Sequence, residues 1–153
     1  MVTDAPRREI QVGRIRVRFF VKRALNRTPT QSLGKAFAPL RVSTPAATTF
    51  DLIRYAARLG GIERAVETLA PLIWLVRVTD LKAVLKTEGE VATAQRLGYV
   101  LETVGKTELA DVVQRWLPSR LELIPLSSKA PRSSAGRVVQ RWRVLHNLPE
   151  LVI

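Results

Sequence analysis

The chain has no cysteine, and that one absence removes disulfides, thiolate zinc sites and a cysteine nucleophile together. Its single histidine, His146 beside Asn147, cannot build a multi-histidine metal centre and fits a surface or packing role. Long apolar runs are also missing. The longest, Leu69 to Val76, is broken by Pro71 and falls far short of the ~20 residues that a membrane span needs. Residues Met1 to Arg8 lack the apolar stretch of a secretory signal. Gly60-Gly61 closes a helical pattern instead of opening one, so it reads as a helix stop and not a phosphate loop. None of the six lysines stands two residues after a glutamate, which removes the Glu-x-Lys triplet of metal-dependent nucleases. Ser127, Ser128, Ser133 and Ser134 share one loop with no rigid base to activate them. These absences argue for a protein that is not an enzyme, carries no cofactor or metal, avoids membranes and works in the cytoplasm.

What is present is positive charge, unevenly spread. Residues 1–45 hold ten lysines and arginines against Asp4 and Glu9, a net of +8. Residues 46–117 hold nine of each sign, and residues 118–153 hold six against Glu122 and Glu150. The net charge of +12 therefore sits at the two ends of a neutral middle. A neutral body between cationic flanks suits contact with a polyanion. With 46% hydrophobic and 25% charged residues in a chain of 153, one domain with one core is expected. A leader over residues 1–9 and a single domain over residues 10–150 are the expected organisation.

Residues Gly13 to Arg23 alternate with period two. Ile15, Val17, Phe19 and Val21 share one face, while Arg14, Arg16, Arg18, Phe20 and Lys22 share the other. The pattern predicts a half-buried strand with a cationic outer face. Ile10–Val12 is expected to pair with it through a turn at Gly13, and another strand is expected over Phe37–Val42. Thr44-Pro45 predicts a helix start, with the hydroxyl as cap and proline in the first turn. Five helices are expected: Pro45 to Leu59, Ile62 to Val76 with a break at Pro71, Thr79 to Lys86, Glu90 to Val104, and one capped by Thr107 that runs to Leu117. Strands over Arg120–Leu126 and Arg137–Leu145 flank a flexible loop at about residues 127–136. Strands, helices, then strands make an α+β fold, with a small mixed sheet built from both termini on the helix bundle.

The cationic strand is the leading candidate site. Arg14, Arg16 and Arg18 are expected about 6.6 to 7 Å apart, comparable with successive phosphates along one nucleic-acid strand. Arginine can grip a phosphate through paired N–H bonds. Lys22, Arg23, Arg141 and Arg143 extend the predicted nucleic-acid-binding set. A protein partner, or plain solvation of an edge strand, accounts for the same pattern. Trp142, between Arg141 and Arg143, suits either base stacking or the core. Asp51, Arg54 and Tyr55 share a helix face and, with Arg96, form an expected structural polar network. Gly98, in the middle of a helix, costs about 1 kcal/mol against alanine, which points to close approach of another element.

Several of these pieces together resemble the C-terminal domain of the AbiEi-type antitoxins, regulators of type IV toxin–antitoxin (abortive infection) systems. The resemblance rests on Ser43-Thr44-Pro45, Phe50-Asp51-Leu52-Ile53-Arg54-Tyr55, Gly60-Gly61-Ile62, Gln95 through Glu102 and Arg141 through Asn147. It implies an antitoxin and transcriptional-regulator role, with DNA binding by an N-terminal winged helix. It also implies neutralisation of a nucleotidyltransferase-like toxin by the C-terminal domain. No winged-helix segment precedes the arginine strand in this sequence, so reading of a specific promoter is not expected of these residues. Neutralisation and contact with nucleic-acid phosphates are.

Overall fold

Thr44 does begin the helical body. Its hydroxyl accepts from the Ala47 amide at 3.2 Å, and Pro45 takes the first turn. Residues 1–34, 40–130 and 136–148 are described by a computed structural model. Among the described residues six α-helices follow Thr44: α1 (Pro45–Arg54), α2 (Ala56–Leu59), α3 (Ile62–Leu69), α4 (Val78–Glu88), α5 (Val91–Thr103) and α6 (Thr107–Trp116). Gly60 ends α2 at a φ of 109°, a backbone angle that favours glycine. Pro71 splits the expected second helix, leaving α3 and a separate 3₁₀ turn at Ile73–Leu75. Thr107 is the first residue of α6 and not its cap, because Lys106 holds that position without a side-chain bond. Phe50, Leu69, Leu85, Leu97 and Val113 are fully buried and join the helices into one core.

The strands are short. β1 (Val2–Thr3) pairs in parallel with β4 (Phe20–Val21), and β2 (Ile10–Val12) forms a hairpin with β3 (Ile15–Val17) around Gly13. β5 (Thr30–Leu33) pairs with β6 (Leu40–Ser43). At the other end β9 (Val144–His146) lies between β7 (Ile124–Pro125) and β8 (Arg137–Val139). The fold is α+β. Phe37 and residues 131–135 of the expected loop lie outside the described residues.

Two expectations about the sheet need correction. Among the described residues, no N-terminal strand joins the C-terminal sheet, so the two basic ends do not share one surface ladder. The expected strand Gly13–Arg23 is also broken between Val17 and Phe20. Beyond the break, over residues 20–22, the covered side is the reverse of the one expected. Ile15 is 67% exposed, whereas Phe20 and Lys22, expected on the outer face, are buried. Period two says which residues share a face, but packing decides which face is covered. Ile10, Val12 and Ile15 stay exposed on the hairpin β2–β3, while β4 is fastened to β1 and Phe20 packs on the Tyr55 ring at the end of α1. The C-terminal strand Arg137–Leu145 likewise folds back through a turn at residues 140–143, where Arg143 has a φ of 50°.

Candidate functional site

Lys22 follows β4, and its amide donates to the Thr3 carbonyl at 2.8 Å. Its side chain runs inward. The ammonium lies 3.0 Å from both oxygens of Asp51 and 2.6 Å from Glu88 Oε1, with both the Lys22 and Glu88 side chains 4% exposed. Arg54, one turn beyond Asp51 on α1, reaches Asp51 at 3.3 Å, Glu88 at 2.7 Å and Glu90 at 2.6 Å. Two cations thus meet three carboxylates from α1, the end of α4 and the residue before α5. Lys22 is therefore not available to a phosphate. The physical reason is that a buried cation must be paired, and here carboxylates satisfy it.

The neighbouring ionisations follow from this geometry. Burial pushes the Asp51 carboxyl above its usual range, against the pull of Lys22 and Arg54. Burial alone would lower Arg54, but hydrogen bonds and charge from Glu88 and Glu90 carry it above its ordinary value. Tyr55 is also raised, mainly by burial and by the charge of Asp51. Its hydroxyl donates to the Val21 carbonyl at 3.1 Å, and its ring lies 5.0 Å from that of Phe20. The Asp51–Arg54–Tyr55 face of α1 thus receives the N-terminal arm. Arg96 meets that cluster through the charge of Glu90, which opposes the effect of its burial. Its Nε donates to the Pro125 carbonyl at 3.0 Å, and burial lowers its pKa.

Arg14, Arg16, Arg18 and Arg23 are exposed. Arg16 and Arg18 each contact Glu9 at 3.1 Å, with about half of each side chain in water. Such surface pairs contribute about 0–1 kcal/mol, so a phosphate can displace them at small cost. Gln11 and Arg16 are directly opposed in the β2–β3 hairpin, which places its polar groups on one side. Ile10, Val12, Ile15 and Val17 pair across the other side, and the first three are at least half exposed. The result is a two-stranded ribbon with Gln11 and Arg16 on one face and an apolar opposite face, Arg14 in its turn and Arg18 just past its end.

At the C-terminal end Arg143 is exposed, but Arg141 is not free. It pairs with Glu102 at 2.5 Å and with Asp111, and donates to Gln114. The bond to Asp111 is the chief cause that raises its pKa. Trp142 is fully buried, donates to Glu102 at 2.6 Å, and fills the space that a side chain at Gly98 would take. Gln95 holds the same turn by donating to the carbonyls of Trp142 at 2.8 Å and Glu122 at 2.9 Å. The sequence reading missed Glu88, Glu90, Gln95 and Glu102. The one available signal was the spacing of Gln95, Gly98 and Glu102, which puts them on a common face of α5.

Beside the buried ion network lies a cleft of about 950 Å³, bounded by β1, β4, β5, β6 and α1. Apolar walls come from Val2, Phe20, Val42 and Leu52, and Arg23 and Arg41 both line it. Among the described residues, no helix is long and apolar enough to cross a membrane.

No curated protein and no solved structure matches this chain. A family model does: residues 1–103 match the AbiEi antitoxin C-terminal domain. The matched span contains the arm, the ion network, the cleft and α5, and stops before α6 and the C-terminal sheet. It covers about two thirds of the sequence, and the chain belongs to the AbiEi antitoxin C-terminal domain family.

Proposed function

We propose that this chain is a non-catalytic antitoxin-type regulator domain whose β2–β3 ribbon holds nucleic-acid phosphates, and that it neutralises a nucleotidyltransferase-like toxin. Family membership supports the antitoxin role. The observation that carries the nucleic-acid reading is the exposed set Arg14, Arg16 and Arg18, in which Glu9 meets Arg16 and Arg18 in surface pairs. A two-stranded ribbon is of a size that the major groove of B-DNA admits. Arg23 and Arg143 are also exposed and can add contacts at other places on the molecule. Lys22 and Arg141 act in holding the fold.

The test is a salt titration. Binding to duplex DNA should weaken as salt rises, with a log–log slope of about −0.9 for each phosphate neutralised, or about −0.7 on single strands. Replacing Arg14, Arg16 and Arg18 together by alanine should make that slope shallower by about 2 to 3 on duplex DNA. Binding that ignores salt, or a slope unchanged in the triple variant, would remove the ribbon from the interface.

One observation favours a second reading, in which the ribbon docks a protein and touches no nucleic acid. Ile10, Val12 and Ile15 stand exposed on its apolar side, and clustered exposed apolar residues mark interaction surfaces. On this reading, substituting threonine for Val12 and Ile15 abolishes toxin neutralisation, while reversing the charge of Arg14, Arg16 and Arg18 leaves it intact. The phosphate reading expects the reverse pattern for nucleic-acid binding.

A further inference from the structure

The geometry points to the cleft beside α1 as a binding site for a small amphiphilic anion, with an apolar body and a single carboxylate or phosphate head. Its volume of about 950 Å³ lies at the upper end of the range for small-molecule sites. Three features define the ligand chemistry. The walls formed by Val2, Phe20, Val42 and Leu52 are apolar and would cover a hydrocarbon or aromatic body. Arg23 and Arg41 both line the cleft, and no carboxylate pairs with either among the described residues; Arg41 donates only to the Thr30 hydroxyl, at 3.2 Å. Of the two acids that line the cleft, Asp51 is held by Lys22 and Arg54, and Asp4 makes no ion pair with either arginine among the described residues.

Two arginines with no carboxylate partner among the described residues, in a cleft with apolar walls, favour an anionic head over a neutral or cationic one. The Ser43 and Thr48 hydroxyls, 2.6 Å apart, add polar groups to the same cleft. The cleft shares no residue with Arg14, Arg16 or Arg18, so this site stands independently of the ribbon.

Calorimetric titration of the full chain tests it with four probes. Octanoate and octyl phosphate carry both tail and head, octyl glucoside has the tail with an uncharged head, and inorganic phosphate has the head alone. At least one of the two tailed anions should bind at least tenfold more tightly than octyl glucoside and inorganic phosphate. Whichever of the two binds more tightly identifies the head. The double substitution Arg23→Ala with Arg41→Ala, on exposed side chains, should weaken that binding tenfold or more while circular dichroism stays unchanged. A second variant, Val42→Trp, should block the tailed anions by filling the cleft. The site is overturned if neither tailed anion binds, if octyl glucoside binds equally well, or if the arginine variant binds as the parent does.

Discussion

The two basic ends of the chain are fastened to the same helical body by different physics. At the N-terminal end, Lys22 brings a charge inside and is met by Asp51 and Glu88, from α1 and the end of α4. At the C-terminal end, Trp142 brings a large ring onto α5 where Gly98 leaves room for it, and the charge of Arg141 stays near the surface beside Glu102 and Asp111. One attachment depends on charge balance in a dry place and the other on shape. A net charge summed along the sequence cannot separate these roles, since Lys22 and Arg14 count alike while only one of them faces water.

The shape-based attachment should break hardest. A Cβ at Gly98 would lie 2.1, 2.4 and 2.6 Å from three carbons of the Trp142 ring. Gly98→Ala should therefore destabilise the protein by about 3 kcal/mol or more in urea unfolding, through overpacking or loss of the ring from the core. The sign is diagnostic, because the same change in an open helix interior stabilises by about 1 kcal/mol. Adding Trp142→Leu should recover part of the loss, which two independent sites would not do. The charge-based attachment comes next. Lys22→Ala should cost about 3 kcal/mol, since it leaves Asp51, Glu88 and Glu90 facing Arg54 alone. Replacing Lys22 and Glu88 together by methionine should recover most of it, an outcome that marks the penalty as unpaired charge and not lost packing.

Much of the helical body was legible because its signals are local. The Thr44 cap, the break at Pro71 and the stop at Gly60 each depend on residues within one turn of the event. The glycine in α5 also announced a close neighbour, although nothing in α5 could say that the neighbour is Trp142, 44 positions later. The arm was less legible. Alternation identified the faces of the Gly13–Arg23 segment, but the partner that buries Lys22 comes from Asp51 and Glu88, which only folding brings near. Asp51 was marked by the helix face it shares with Arg54 and Tyr55, but nothing local marked Lys22 as its partner or Glu88 as a member. Glu88 looks like an ordinary acid at a helix end, and its burial beside Arg54 arises because Gly89 turns the chain between α4 and α5.

Within the charged attachment, Asp51 offers a subtler test through pH. Its carboxyl titrates above the ordinary value in the folded protein, chiefly because it is buried. The folded state then holds a proton more firmly than the unfolded chain does. The stabilisation from that difference is complete below the unfolded pKa and is lost as pH rises through the raised folded value. Asp51→Asn removes this titration and leaves Lys22 and Arg54 facing Glu88 and Glu90, two charges of each sign. Its stability should vary less with pH across the mildly acidic range than that of the parent protein. Chemical unfolding at several pH values measures this, and parallel profiles for the two proteins would mean that Asp51 is ionised in the fold much as it is in the unfolded chain.

The smallest effect is expected at Arg141, the residue that separates charge from shape at the C-terminal end. Its side chain is 27% exposed, and its partners Glu102 and Asp111 are 37% and 45% exposed. Solvent screens such pairs, so Arg141→Ala should cost about 1 kcal/mol or less. Part of that small cost is lost cover over Trp142, since the guanidinium carbon sits 4.9 Å from the ring centroid. Arg141→Met keeps the cover and removes the charge. Equal stabilities for the methionine variant and the parent would assign the C-terminal attachment to packing alone. A methionine variant as weak as Lys22→Ala would instead mean that both ends are held by charge, and the contrast between them would disappear.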